Sequence, residues 1–135
     1  MNPRMSCIAA LLLLILGCQK VDQPEDPVWG KQSCGSCAML VSDRQFAGQA
    51  ISAQGERLFF DDPGCLATYV STHAGVKHAW LLNPRGQWVD ASSARFEAGA
   101  KSPMDYGFRF AEGGKLDFAA VKAAAVAAHA ERARP

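Results

Sequence analysis

A chain of 135 residues with 14 basic and 13 acidic side chains, 49% hydrophobic and 20% charged residues, is neither disordered by composition nor a nucleic-acid-binding polycation. Its length predicts one small globular domain. Five cysteines in so short a chain would suggest a disulfide framework, but they fall in segments with different fates.

The first segment reads as an export signal. Arg4 precedes an uninterrupted apolar run from Ile8 to Leu16. A bilayer span takes roughly 20 apolar residues and a secretory core about 7–15, so the run is too short to cross a membrane. Ile15-Leu16-Gly17-Cys18 resembles the bacterial lipobox, in which the cysteine thiol receives diacylglycerol and the preceding residues, here 1–17, are removed. At about 0.8 kcal/mol per buried methylene, more than one acyl chain on Cys18 makes a stable membrane anchor. Gln19 after that cysteine, where aspartate would favour retention, points to the periplasmic face of the outer membrane in a Gram-negative cell. Residues 18–30, with three acidic residues, two prolines and no apolar periodicity, read as a flexible tether, and 31–135 as the folded domain.

Within that domain the elements follow from local pattern. Phe46 to Ser52 alternates as a strand, Ala53-Gln54-Gly55 forms a turn, and Glu56 to Phe60 returns to complete a hairpin. Asp62 is placed to cap a helix with Pro63 at its first position, and Leu66, Tyr69, Val70 and His73 fall on one buried face before Gly75 ends it. Strands are predicted at Lys77–Leu82 and Trp88–Ala91, joined by the turn Asn83-Pro84-Arg85-Gly86, with Trp80 and Trp88 in the core. Another strand is predicted at Tyr106–Phe110. Gly113-Gly114 breaks the chain, and Asp117 caps an alanine-rich terminal helix from Phe118 to about Arg132, with Phe118, Val121 and Ala125 on one stripe. This order predicts an α+β fold of small ββαβ-type units with a largely antiparallel sheet. A faint repetition, methionine, strand, glycine turn and helix, follows Cys37 and again Pro103, leaving two related halves open.

Soft ligands concentrate in Cys34-Gly35-Ser36-Cys37-Ala38-Met39. Thiolate and thioether together select Cu(I), which accepts two or three sulfurs, whereas zinc prefers four ligands from cysteine and histidine. In extended backbone residues i and i+2 share a side, so Cys37 and Met39 are expected to face one ion, and Cys34 needs a turn to join them. Cys65 stands near the third position of the first predicted helix, where dipole and free amides favour a thiolate. It reads equally well as an inert packing residue. Met104 lies in the loop-like Pro103-Met104-Asp105-Tyr106-Gly107, so both methionines beyond the signal sit in sulfur-bearing or loop motifs. A redox pair, a structural disulfide and a zinc knuckle are the rival readings of Cys34 and Cys37. His73 reads as a core or cap residue and His129 as a helix-end cation, while Asp61, Asp62 and Asp90 read as capping and turn residues. No hydrolase triad, phosphate loop or nucleic-acid patch is present, so catalysis is not expected.

Taken in order, the lipobox, Cys34-x-x-Cys37-x-Met39, Phe60-Asp61-Asp62-Pro63-Gly64-Cys65-Leu66, Ala79-Trp80-Leu81, Trp88-Val89-Asp90-Ala91 and Pro103-Met104-x-Tyr106-Gly107 make the chain resemble the NosL family over almost its whole length. The resemblance implies a membrane-anchored periplasmic Cu(I) chaperone that delivers copper to apo nitrous-oxide reductase or another copper enzyme. It also implies Cys37, Met39 and Met104 as preferred ligands, with Cys34 and Cys65 sharing or relaying the ion. The alternative is a thiol-disulfide exchange protein that keeps a partner's copper cysteines reduced. The family's usual Cys-Gly-Met core is Cys37-Ala38-Met39 here, and alanine restricts the backbone where glycine would be free.

Overall fold

Strands β1 (Gly48–Ile51) and β2 (Arg57–Phe60) form the first hairpin of the computed structural model, which describes residues 22–135. The export segment and Cys18 lie outside the described residues. Helix α1 (Pro63–Thr72) follows, then β3 (His78–Leu82), β4 (Trp88–Asp90), β5 (Arg95–Ala98), β6 (Phe108–Phe110), β7 (Leu116–Asp117) and the terminal helix α2 (Phe118–Arg132). The strands make a four-stranded sheet in the order β2-β1-β3-β4 and a three-stranded sheet in the order β6-β5-β7, with every pairing antiparallel. This is the α+β fold the sequence predicts, organised as two sheet units. Among the described residues no helix is long and apolar enough to cross a membrane.

Both helix starts follow from capping chemistry. Asp62 accepts the amide of Gly64 with Pro63 at the first helical position, and Asp117 accepts the amide of Ala120. One buried cluster, including Phe60, Leu66, Leu81, Phe96, Val121 and Ala125, joins the two sheets, and α1 packs on α2. Burial of those side chains, at about 25 cal/mol per Å² of apolar surface, is the main force that fixes the relative place of the elements carrying the thiols.

Several expectations are corrected. The expected stripe along α1 is instead a buried first half, Pro63 to Thr68, while His73 is exposed and stacks on Tyr69 with ring centroids 4.0 Å apart. The helix stops at Thr72, because His73 turns into extended backbone as the C-cap, ahead of Gly75. Phe46 belongs to a 3₁₀ turn, Arg44–Phe46, and the strand begins only at Gly48. Trp80 is in the core, but Trp88 is half-buried and its indole donates to Asp26 Oδ1 at 2.9 Å.

Residues 22–30, read from sequence as tether, lie against the first sheet. Gln49, in the central strand β1 and buried, accepts from the Glu25 amide and donates to the Glu25 carbonyl, at 3.1 and 2.9 Å. Arg57 donates to the Gln23 carbonyl at 2.8 Å and pairs with the Glu25 carboxylate at 3.0 Å. A chain without apolar periodicity is thus held by polar side chains that the sheet presents to it.

Candidate metal centre

The site forms where two segments meet. The first is a small hairpin over residues 32–41, closed by the Ser33–Leu40 bridge, by Val41 N donating to the Gln32 carbonyl at 2.8 Å and by Cys34 N donating to the Met39 carbonyl at 2.7 Å. Gly35 N donates to the Phe59 carbonyl at 2.8 Å, which hangs this hairpin on the edge of β2. The second segment is the junction from β2 into α1, Asp61 to Cys65, with Cys65 at the third helical position.

Their meeting brings the Sγ atoms of Cys34, Cys37 and Cys65 and a carboxylate oxygen of Asp61 all within 4.8 Å of one another. A metal–sulfur bond of about 2.3 Å in tetrahedral geometry puts sulfurs roughly 3.8 Å apart, so small side-chain adjustments suffice to close the four groups on one ion. All three thiols are free. Cys34, Cys65 and Asp61 are buried, at 4%, 1% and 3% exposure, whereas Cys37 is half-buried and opens the cluster to solvent. The Cys37 thiol donates to Asp61 Oδ1 at 3.3 Å. Three sulfurs and one carboxylate converge in a donor set that could hold a metal ion, and among the described residues no Lys or Arg pairs with Asp61.

The thiols behave as one system. Accepting a hydrogen bond from Cys65 lowers Cys34 to about 7, against the opposing effect of its burial. Donation of that bond holds the Cys65 thiol far above its ordinary value, with burial adding to the effect. Burial pushes Cys37 up to about 12, and its bond to Asp61 adds to that. The three sulfurs therefore titrate as one coupled group, and the first negative charge belongs to that group, with Cys34 the thiol held low. The dipole and free amides of the helix start would favour a thiolate at Cys65, which reads equally well as an inert packing residue; its bond to Cys34 and its burial outweigh a dipole worth about 1 kcal/mol and keep it protonated.

Of the predicted ligands, Cys34, Cys37 and Cys65 come together. Met39 is 57% exposed, while its carbonyl is pinned to the Cys34 amide. The rule that i and i+2 share a side holds for extended backbone, and Ala38 between Cys37 and Met39 is instead left-handed, φ 63°. Met104 is half-buried against the same buried cluster that includes Cys34 and Cys65, and its amide donates to Asp62 Oδ2 at 2.9 Å. His73 is engaged with Tyr69, and His78 stacks on Trp80 at 5.2 Å.

Asp61 is the site residue the sequence argument missed. Asp62 and Asp90 do cap, accepting the amides of Gly64 and Ser92. The doublet Asp61-Asp62 held the clue, since a helix needs one cap and the second acid requires another reason to be there. No family model, curated protein or solved structure matches this chain.

Proposed function

We propose that this chain is a Cu(I) carrier of the NosL kind, anchored through lipid on Cys18 at the periplasmic face of the outer membrane. It loads a copper enzyme, with apo nitrous-oxide reductase as the recipient. The observation that carries the reading is the convergence of three free thiols from two segments, two of them buried and one open to solvent. Three sulfurs meet the coordination demand of Cu(I), which is satisfied at low coordination number, and carboxylate oxygen suits harder ions. Hand-over proceeds by ligand exchange. The partner's sulfur or imidazole joins the ion beside half-buried Cys37, and the buried thiols release it afterwards. Met39, exposed on the 32–41 hairpin, supplies a thioether that binds without releasing a proton and cannot form a disulfide.

The test is an anaerobic competition between the reduced protein and a Cu(I) chelator. Cys37→Ala is expected to weaken Cu(I) binding by about 100-fold or more, a loss of roughly 2.7 kcal/mol. Asp61→Asn is expected to leave Cu(I) affinity within about threefold while sharply weakening Zn(II), which would use the oxygen. Wild-type Cu(I) affinity in the Cys37 variant overturns the reading.

One observation favours the second reading, thiol-disulfide exchange with a partner's cysteines: Cys37 is accessible and its sulfur lies within 4.8 Å of Cys34. That reading requires Cys34→Ala and Cys37→Ala to be equally damaging, methionine substitutions to be silent, and protein isolated anaerobically to hold no copper.

A further inference from the structure

Residues 22–30 lie along the first sheet as a strap, and the order of their contacts gives the strap a direction. Strand β1 pairs Ile51 with Arg57 and His78 at one end of the sheet, and Gly48 with Phe60 and Leu81 at the other. Asp22 meets the first end, its carboxylate 3.5 Å from His78 Nε2, and the Arg57 guanidinium holds the Gln23 carbonyl there. Glu25 sits midway, with its amide and carbonyl both bonded to the Gln49 side chain. Asp26 reaches the second end, where it accepts from Trp88, the strand partner of Leu82. Gly30 then donates to the Val41 carbonyl, and the chain enters the hairpin at 32–41.

The thiol cluster belongs to the second end. Gly35 hangs on the Phe59 carbonyl, and Asp61 follows Phe60, the partner of Gly48. From Arg57 to Asp61 an extended strand advances about 13 Å, which separates the two ends. Two touching turns, 52–56 and 73–77, make the first end. A Cβ on Gly75 would lie 3.1 Å from Ala53 Cβ, and one on Gly55 would lie 4.0 Å from Lys77 Nζ. Gln54, Glu56, Ala74 and Lys77 are exposed there.

Cys18 precedes Asp22 by four residues, and four residues span at most about 14 Å when fully extended. Acyl chains on Cys18 therefore enter a bilayer within that distance of the His78 end. We infer that the turns at 52–56 and 73–77 form the face on which the domain rests against phospholipid headgroups, and that the strap turns the thiol cluster to the opposite side, so that Cys37 opens away from the membrane. The exposed Lys77 ammonium supplies this face with a donor for headgroup phosphate. The inference rests on the lipid anchor in the reading above and adds to it an orientation: the metal centre is presented to soluble partners by a fixed segment rather than swung on a loose one.

The acylated full chain, bound to phospholipid vesicles in which some headgroups carry a nitroxide quencher, tests it. A fluorophore on a non-canonical side chain is placed at Gln54 in one sample and at Ser36, in the thiol hairpin, in another. Quenching is expected to be several-fold stronger at Gln54. Inserting about twelve glycine and serine residues between Val21 and Asp22 leaves the strap's contacts in place and extends the mean reach to about 20–24 Å, so the ratio between the two positions is expected to fall toward one. Equal quenching at both positions in the native chain overturns the inference. So does a ratio that survives the insertion, because the orientation would then owe nothing to the short connection between strap and anchor. Failure of the anchoring reading is seen separately, as a chain whose mass shows no acyl groups on Cys18, and it takes this inference with it. An acylated, vesicle-bound chain quenched equally at both positions sinks the orientation alone.

Discussion

Helices α1 and α2 both begin at an aspartate N-cap directly after the strand region, Asp62 in the first case and Asp117 in the second. Asp117 is exposed, spends one oxygen on the Ala120 amide, and opens a helix with an ordinary buried stripe of Phe118, Val121 and Ala125. Asp62 is buried, spends both oxygens, and opens a helix whose first half is covered on all sides, with Cys65 at its third position. The capping device is the same. What differs is that the hairpin at 32–41 and the loop at 102–107 are laid over one helix start, and this covering turns a local folding signal into a site.

The comparison breaks or holds first on stability. Asp62→Ala removes a cap and leaves the Met104 amide without its acceptor, for an expected cost of about 3 kcal/mol, partly offset by relief of the buried charge. Asp117→Ala removes an exposed cap alone and is expected to cost about 1 kcal/mol. Urea unfolding of the reduced apo protein measures both, and equal costs would mean that the covering of α1 contributes nothing beyond the cap.

A second expectation uses the thiols, which occur only at the first helix start among the described residues. Cys34 is lowered from 9.0 to about 7, so between these values the unfolded chain binds more protons than the native one, and stability rises with pH. The contribution is complete near pH 9, is lost as pH falls through about 7, and is on the order of 2 kcal/mol. Above pH 9 the sign reverses, because Cys37 and Cys65 stay protonated in the fold while they ionise in the unfolded chain. Thiolate absorbance should titrate near pH 7 in the wild type and move upward in Cys65→Ala, which removes the donor to Cys34. An unmoved midpoint in that variant would refute the shared charge.

The helix starts were legible in the sequence because capping is local: Asp62-Pro63 and Asp117 state their role within a few residues. The first four strands were legible for the same reason, through their turns. Strand β5 was not, since only Phe96 of its four residues is buried, and β7 has just two residues. Both exist through pairing with distant partners rather than through any periodicity of their own. Residues 22–30 looked like tether because their fixing groups, Gln49, Arg57 and Trp88, are supplied by strands far along the chain. At the site, the sulfur types announced themselves, whereas Asp61 was hidden by its neighbour's capping role.

The smallest effect concerns Ala38, where the expectation of extended backbone through the site hairpin does not hold. Extended backbone would have set Cys37 and Met39 on one side, but the Cys34 carbonyl accepts from Ala38 N at 3.1 Å and the chain turns through φ 63° at Ala38. This turn brings Cys37 back toward Cys34 and leaves Met39 exposed, so the thiol pair depends on a conformation that costs an alanine roughly 1 kcal/mol. Ala38→Gly removes that strain but also frees the unfolded chain by about 0.4–1 kcal/mol, so a net gain of no more than about 0.5 kcal/mol in unfolding free energy is expected, with Cu(I) affinity unchanged or slightly raised. No matching change arises at the start of α2, where Ala119 and Ala120 already lie in regular helix. If Ala38→Gly instead lowers stability and loosens Cu(I), the turn is held by the alanine methyl and not merely tolerated by it, and the convergence of Cys34 with Cys37 has a different physical cause.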